Sequence, residues 1–214
     1  MKSFKIKYLK ELDNVDIQDA NWILKEVDSQ YIDNVNWPDQ FDTLPACNFW
    51  IARSVSALYI HFSINEENVQ AIYETDHDPV WQDSCVEFFC KIPDSERYIN
   101  FEFNCIGTCL AAIRKGRNVE VVPFSMDKMQ KIERYATLGS KAFSTLKGET
   151  FWELTVKIPF ELMGMDQNQL PKKLFANFYK CADASSKPHY VSWNKIDTPT
   201  PDFHRPEFFG DLEF

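Results

Sequence analysis

The sequence predicts an all-β protein, an antiparallel β-sandwich of the immunoglobulin or jelly-roll kind, from three observations. Several segments alternate apolar and polar side chains, as strands with one buried face do. Helical periodicity is limited to short stretches, and the connecting segments are rich in proline and aspartate. An eight-stranded barrel is the alternative architecture. We predict one domain that spans residues 1–214.

The composition provides a large core and excludes two classes of partner. Hydrophobic residues make up 44% of the chain, including 18 Phe, which is typical of a packed globular protein. A net charge of -9 without a Lys/Arg cluster excludes nucleic acid and anionic membranes as partners. The N-terminus MKSFKIKYLKELDN has no uninterrupted apolar segment, and no stretch is long enough to cross a bilayer. We therefore expect a cytoplasmic chain as written, without membrane insertion.

The N-terminal third begins with irregular structure and then enters the first long strand. Residues 13–26 predict a short helix or turn, and residues 34–49, which contain two prolines, predict a loop. SALYIHFSI then alternates, which places four apolar side chains on one face of a strand: Leu58, Ile60, Phe62 and Ile64.

The next two strands predict a hairpin. In PVWQDSCVEFF, Val86 and Phe88 share one face, and Glu87 and Phe89 share the other. RYINFEFNCIG alternates in the same way, and only the short PDSER separates the two segments. The polar side chains of both strands therefore lie on a common face of the sheet.

The remaining segments continue the strand pattern. TCLAAIR predicts a strand, and TFWELTVKIP another with Trp152 in its buried set. FELMGM predicts a single helical turn. LFANFYKCAD directs Asn177, Tyr179 and Cys181 to one face, HYVSWN is a short strand, and the tail is punctuated by proline. None of the six cysteines forms a CxxC motif, and we expect buried free thiols, with a single disulfide as the alternative.

The common polar face of the hairpin indicates a binding surface for a polar ligand. It carries Glu87, Asn100, Glu102 and Asn104, and asparagine is depleted in strands that only face solvent. Hydrogen bonds from a rigid sheet, each contributing about 0.5–1.5 kcal/mol, can recognise the hydroxyl pattern of a sugar. The alternative for each single residue is an ordinary water-facing sheet.

Two tryptophans lie among polar residues in or beside predicted loops. Trp81 and Trp193 can stack on the apolar C–H face of a sugar ring, or each can anchor its own loop.

Other chemistries leave weaker patterns. Glu87 with Asp83 or Glu102 could serve glycoside cleavage, but no nucleophile elbow, phosphate loop or HExxH motif occurs. Oxygen ligands for a structural calcium could come from Asp76, Asp78 and Asp83, although their spacing matches no calcium loop. We expect His189 and His204 to be hydrogen-bonding loop residues, and no residues stand out as haem ligands.

The chain resembles the family 9 carbohydrate-binding modules, in particular the branch found in gut Bacteroidetes. The resemblance rests on DHDPVWQDSCVEFF, YINFEFNCIGT, NFYKCAD, PHYVSWNKI and TPTPDFHRPEFFG, which together span residue 76 to the C-terminus. It implies a β-sandwich related to the DOMON-like sugar- and haem-binding modules. It also implies two tryptophans that clamp a sugar, with a glutamate six positions after the first. Trp81 and Glu87 have that spacing, and Trp193 lies where the second tryptophan is expected.

Together these observations predict a non-catalytic domain that binds a mono- or oligosaccharide without a required cofactor. Trp81 and Trp193 would stack on the sugar, and Glu87 would accept hydrogen bonds from its hydroxyls. Secondary contacts would come from Asn100, Glu102, Asn104, Asn177 and Tyr179. One alternative is a glycan-active enzyme that uses Glu87 with a second carboxylate. Another is a haem- or redox-binding module, and a third is a structural or interaction domain that has lost its ligand.

Overall fold

Two β-sheets pack face to face in the computed structural model, which describes all residues from 1 to 214. The strands are β1 Ser3–Lys5, β2 Lys7–Tyr8, β3 Gln30–Tyr31, β4 Asn34–Val35, β5 Ala46–Arg53, β6 Ala57–Ala71, β7 Cys85–Lys91, β8 Tyr98–Asn104, β9 Cys109–Arg114, β10 Val122–Pro123, β11 Glu133–Ala136, β12 Phe143–Pro159, β13 Lys173–Cys181, β14 Tyr190–Ser192 and β15 Gly210–Glu213. The helices are short: α1 Ala20–Leu24, α2 Met126–Met129 and the 3-10 helices Lys10–Asp13, Val80–Gln82, Phe160–Met163 and Pro206–Phe208. No helix combines the length and the apolar character that crossing a bilayer requires.

The strand order confirms the predicted β-sandwich. The first sheet runs β1-β15-β13-β7-β8-β9-β10, with β14 paired to β13 and β4 paired to β14. The second runs β11-β12-β6-β5-β2, with β3 paired to β5. Neighbouring strands are antiparallel except for β1 with β15 and β2 with β5, so the N-terminus contributes an edge strand to each sheet. The predicted hairpin is present, with Glu87 opposite Glu102.

The core between the sheets follows the alternation of the sequence. Phe88 and Phe178 from the first sheet meet Phe62 and Phe49 from the second, and all four side chains are fully buried. The rings of Phe49 and Phe178 stack with their centroids 3.7 Å apart and join the two sheets directly. Burial of each such side chain contributes about 1.5–3 kcal/mol, so this layer supplies much of the stability that holds the sheets together.

A second apolar layer covers the outer face of the first sheet. Phe89, Tyr98 and Tyr179 project outward from the strands and are covered by loop residues such as Trp37 and Phe203. The Trp37 indole donates a hydrogen bond to Thr198 O (2.7 Å), which holds two covering loops together. The polar face predicted for this sheet is therefore not a water-facing surface. Side chains on it are either buried under the loops or directed into the space that the loops leave open.

A buried ionic cluster connects the two sheets at one end of the core. Lys180 Nζ, from β13, forms an ion pair with Glu66 Oε2 of β6 (2.9 Å) and hydrogen bonds to Cys181 O (2.8 Å) and His189 Nε2 (2.9 Å). Glu66 Oε1 accepts a hydrogen bond from the Trp152 indole (2.8 Å). Lys180 is fully buried, and because its ammonium group has three protein partners the charge is compensated inside the fold.

His189 gives this cluster a measurable pH dependence. Burial and the neighbouring Lys180 charge lower the pKa of His189 to about 3, whereas an unfolded histidine has a pKa near about 6.5. Neutral His189 accepts from Lys180 through Nε2 and bonds Lys187 O through Nδ1 (3.0 Å). A histidine with a depressed folded pKa stabilises fully above the unfolded pKa, and this stabilisation is lost as pH falls toward the folded pKa.

We therefore expect wild type to lose stability relative to His189→Gln as pH falls from about 6.5 toward about 4. The loss can reach about 1.4 kcal/mol per pH unit, since one extra proton binds the unfolded chain. Urea unfolding across this range measures the free energy of unfolding of both proteins. In the difference between them, the contributions of all titrating groups that they share cancel. A constant stability difference across the range would show that His189 does not titrate differently on folding.

Candidate functional site

A cavity of about 500 Å³ opens on the outer face of the first sheet, beside the apolar layer and over strands β7, β8, β9 and β13. Its size lies in the range typical of small-molecule sites. Charged and aromatic side chains line it, namely Trp81, Glu87, Glu102, Arg114, Arg117, Asp183, Tyr190, Asp202, Phe203 and His204. These residues come from the strands at the floor, from β14 and from four connecting segments at the rim.

Trp81 forms one wall of the cavity. It lies in the 3-10 helix Val80–Gln82 directly before β7, and its half-buried indole packs against the apolar layer. The position of this helix is fixed because Asp183 N donates a hydrogen bond to Trp81 O (3.1 Å) and Ala184 N to Gln82 O (3.0 Å). The structure thus places Trp81 at the cavity, where the sequence predicts a sugar-stacking residue.

Glu87 and Glu102 form the floor as directly opposed residues of β7 and β8. Both are almost fully buried, with 3% and 4% of their surface exposed. Burial and repulsion by Glu102 raise the pKa of Glu87 well above its usual value. Burial likewise raises the pKa of Glu102 to about 7, although the positive charge of Arg114 opposes the change. The floor therefore holds a pair of carboxyl groups that resist carrying two full negative charges.

Basic and acidic side chains face each other higher in the cavity. Arg114, from the end of β9, donates to Arg117 O (2.8 Å), while its buried Nε has no hydrogen-bond partner in the protein. Asp183 lies on the loop after β13, and its burial raises its pKa to about 6. Arg117 approaches Asp202 at 3.9 Å. Arg117 and Asp202 therefore form an ion pair within the lining, whereas Arg114 and Asp183 have no ion-pair partner in the protein.

Further aromatic side chains reach the cavity from β14 and from the segment that follows it. Tyr190, opposite Cys181 in the β13–β14 pairing, projects to the outer face, and Phe203 stacks on Tyr179 with ring centroids 4.2 Å apart. His204 Nδ1 hydrogen-bonds the Tyr98 hydroxyl (2.9 Å). Both histidines singled out by the sequence, His189 and His204, hydrogen-bond within the protein. Burial and the charges of the two cavity arginines lower the pKa of His204 to about 3, which keeps its ring neutral.

The structure corrects the predicted position of Trp193. Its indole has no exposed surface and lies in the core between the sheets, edge-on to Phe49 (6.0 Å) and Phe178 (5.7 Å). The reason is strand alternation: Trp193 N donates to Phe178 O (2.8 Å), which extends the β13–β14 pairing by one residue and gives Trp193 the inward parity of Val191. Trp193 therefore cannot stack on a ligand in the cavity, and a clamp of Trp81 with Trp193 is not available.

Two of the predicted asparagine contacts are also corrected, because their amides stabilise loops. Asn104 donates to Tyr73 O (2.7 Å) and its Oδ1 accepts from Thr108 N (2.9 Å). Asn177 donates to Asn194 O (3.1 Å) and accepts from Asn194 N (2.8 Å). Both side chains are fully buried and neither lines the cavity.

Asn100 and Tyr179 likewise lie beneath the cavity surface. Asn100 donates to Glu102 Oε1 (2.9 Å) and so orients that carboxyl group, whereas the Tyr179 hydroxyl donates to Phe203 O (3.0 Å). Both are fully buried and absent from the lining. Their predicted direct contacts with a sugar are replaced by roles that position Glu102 and Phe203.

The three aspartates considered for calcium do not converge on a common point. Asp76 forms a bidentate ion pair with Arg134, in which Nη1 donates to Oδ1 (2.7 Å) and Nη2 to Oδ2 (2.9 Å). Asp83 accepts from the backbone N–H groups of Ile72 (3.0 Å) and Tyr73 (3.1 Å). These oxygens are engaged in holding the loop before β7, and the structure provides no calcium site from them.

Sequence and structure comparisons define the class of protein that this sandwich and cavity belong to. The carbohydrate-binding family 9 model matches residues 16–214, and the chain therefore belongs to that family. A comparison with curated proteins gave no significant match.

Solved structures agree with this assignment. A candidate carbohydrate-binding protein from Bacteroides uniformis is 32% identical, with a TM-score of 0.92 over 100% of this chain and 99% of that chain. A carbohydrate-binding module of family 9 from Caldicellulosiruptor kristjanssonii in complex with glucose has a TM-score of 0.61 at 12% identity, covering 99% and 95% of the two chains. The same kind of module in complex with cellotriose has a TM-score of 0.60 at 11% identity, covering 99% and 93%. The last two likenesses show the shared fold.

Proposed function

We propose that the protein binds carbohydrate in the cavity beside Trp81. The observation that carries the proposal is a half-buried indole next to two buried carboxyl groups and an arginine, inside a cavity on a chain of carbohydrate-binding family 9. In this proposal Trp81 covers the C–H face of a sugar ring, and Tyr190 takes the opposing position that the sequence assigned to Trp193. Glu87 and Glu102 accept hydrogen bonds from hydroxyl groups, and the guanidinium group of Arg114, which lines the cavity, donates to them.

The physical chemistry of the cavity favours a neutral sugar over an apolar ligand. Each hydroxyl can donate and accept, so it can join a carboxylate to a guanidinium group without leaving either unpaired. A sugar ring buries little surface and its hydroxyls must be desolvated, so we expect affinity in the micromolar range or weaker. Gluco-configured sugars are the first ligands to test, since family 9 modules of this fold have been solved with glucose and with cellotriose.

We further propose that binding is not followed by cleavage. The opposed Glu87 and Glu102 do favour one rival, because glycoside hydrolysis requires one protonated carboxyl group and one ionised carboxylate, and two neighbouring carboxyl groups that resist a double negative charge can hold one of each. That rival predicts turnover of a chromogenic glycoside that disappears in Glu87→Gln and in Glu102→Gln. The binding proposal predicts no turnover by wild type, and turnover that depends on either glutamate would contradict it.

The binding proposal predicts that Trp81→Ala weakens sugar binding by tenfold or more, since an aromatic contact and its buried area contribute about 1.5–3 kcal/mol. Titration calorimetry with glucose, cellotriose and a wider panel of mono- and oligosaccharides measures the loss. Trp22→Ala is the matched control, because Trp22 is 70% exposed on α1, far from the cavity. We expect the control to bind like wild type.

Two results would contradict the proposal. One is the same affinity in Trp81→Ala and wild type for every sugar that binds. The other is an equal loss of affinity in the Trp22→Ala control. Thermal unfolding of both variants separates lost binding from lost folding.

A further inference from the structure

Two cysteines and a glutamate converge under the cavity. Cys85 of β7 lies directly opposite Cys181 of β13, and Glu87 follows Cys85 by two positions on the same face. The two sulfur atoms and a carboxylate oxygen all lie within 4.8 Å of one another, and Cys181 Sγ is 3.3 Å from Glu87 Oε1. All three residues are buried. No other group of this kind occurs in the chain.

The distance between Cys181 Sγ and Glu87 Oε1 is close to an edge of a tetrahedral metal site. With a zinc–sulfur bond of about 2.3 Å and a zinc–oxygen bond of about 2.0–2.2 Å, a tetrahedron places sulfur and oxygen about 3.5 Å apart. Cys181 and Glu87 also line the cavity, so the three side chains meet at its edge. Three protein ligands with one open corner are typical of zinc sites that bind a further ligand.

The other cysteines have a different environment. Cys47, Cys90, Cys105 and Cys109 lie in the apolar core between the sheets. Cys85 and Cys181 belong instead to the outer layer, where they meet a carboxyl group, and thiolate ligands select zinc or copper(I) over calcium and magnesium. We propose that Cys85, Glu87 and Cys181 form a site for a thiophilic divalent cation, zinc in the first place, at the floor of the cavity.

Charge and proton balance are consistent with this site. Burial raises the pKa of both thiols, so the metal-free site holds them protonated. Binding of one Zn²⁺ displaces the protons of the two thiols, which leave to solvent, and Glu87 coordinates as the carboxylate. The three ligands then carry one more negative charge than the ion. Arg114, a cation that lines the same cavity, balances that charge. Glu87 Oε2 remains available to a ligand in the cavity.

Cobalt(II) titration of the reduced protein tests the site without any sugar, so its outcome is separate from that of the sugar proposal. We expect one equivalent of Co²⁺ to produce a sulfur-to-cobalt charge-transfer band that Zn²⁺ abolishes. Cys181→Ala should lack the band, and Glu87→Gln should bind Zn²⁺ at least about tenfold more weakly. Cys90→Ala, which removes a core thiol, should keep both properties.

The absence of a charge-transfer band in wild type, or a band that persists in Cys181→Ala, would overturn the assignment. Should Cys181→Ala fail to fold, the melting temperature of wild type decides. A site in the native protein raises Tm as Zn²⁺ is added, whereas Zn²⁺ that binds only the thiols of the unfolded chain lowers it.

Discussion

Trp193→Ala is expected to destabilise the protein by about 3–5 kcal/mol, the cost of removing a fully buried aromatic side chain from a packed core. The indole packs edge-on against the stacked rings of Phe49 and Phe178, and its N–H donates to Gln30 Oε1 (3.2 Å). Alanine would leave a cavity between the sheets and an unpaired amide oxygen. Urea unfolding followed by circular dichroism measures the change in the free energy of unfolding.

Trp193→Phe is the matched variant, because it keeps an aromatic ring against both phenylalanines. We expect a smaller loss of stability and an affinity for sugar equal to that of wild type. If Trp193→Ala unfolded at the same urea concentration as wild type while losing sugar binding, the indole would belong to the binding site and the placement described above would be wrong.

Lys180→Met is the second change with a large expected effect, about 3–5 kcal/mol of lost stability. It would leave the Glu66 carboxylate buried without its cation, with the Trp152 indole and the neutral His189 ring (Nε2 to Oε2, 3.4 Å) as its remaining polar neighbours. Removing one member of a buried ion pair costs more than the pair contributes, since the remaining charge stays desolvated. Chemical denaturation of Lys180→Met measures this penalty.

The double variant Lys180→Met with Glu66→Gln separates charge burial from packing. It leaves no uncompensated charge, so we expect it to be more stable than Lys180→Met alone. A double variant whose loss equals the sum of the two single losses would show that the two side chains act independently. That result would contradict the proposed ionic link between the sheets.

Strand alternation was sufficient to predict the sandwich and its inner core. Leu58, Ile60 and Phe62 all point into the core as their parity requires. In the hairpin of β7 and β8, Glu87 and Glu102 lie on the same face of the sheet, as predicted. Alternation could not predict what covers the outer face of a sheet. The loops around Trp37 and Phe203 bury that face, and their contacts join residues far apart in the chain.

The candidate site was predictable only where it lies within one local segment. Trp81 and Glu87 are six positions apart on a helix and the strand that follows it, and both reach the cavity. Arg114, Asp183 and Tyr190 come from other strands and loops, so no local pattern brought them together. Two signals were present in the sequence: Tyr190 has the parity opposite to Val191, and Arg114 continues the outward parity of β9.

Trp193 was misplaced because neighbouring polar residues were taken as a sign of exposure. The short strand HYVSWN alternates, so Trp193 shares the inner face with Val191 and not the outer face of its polar neighbour Ser192. Lys180 shows that alternation also fails to identify the partner of a buried charge. A charged residue at an inward position can be recognised from the alternation of β13, but its partner Glu66 lies on the other sheet.

The central claim, that Trp81 contacts a sugar in the cavity, is tested most directly by nuclear magnetic resonance of the six tryptophan indole N–H signals. Each signal can be assigned by a single Trp→Phe substitution. During titration with a sugar that binds in calorimetry, we predict that the Trp81 signal shifts and saturates while those of Trp193 and Trp152 stay in place. Saturable binding that leaves the Trp81 signal unmoved would contradict the account.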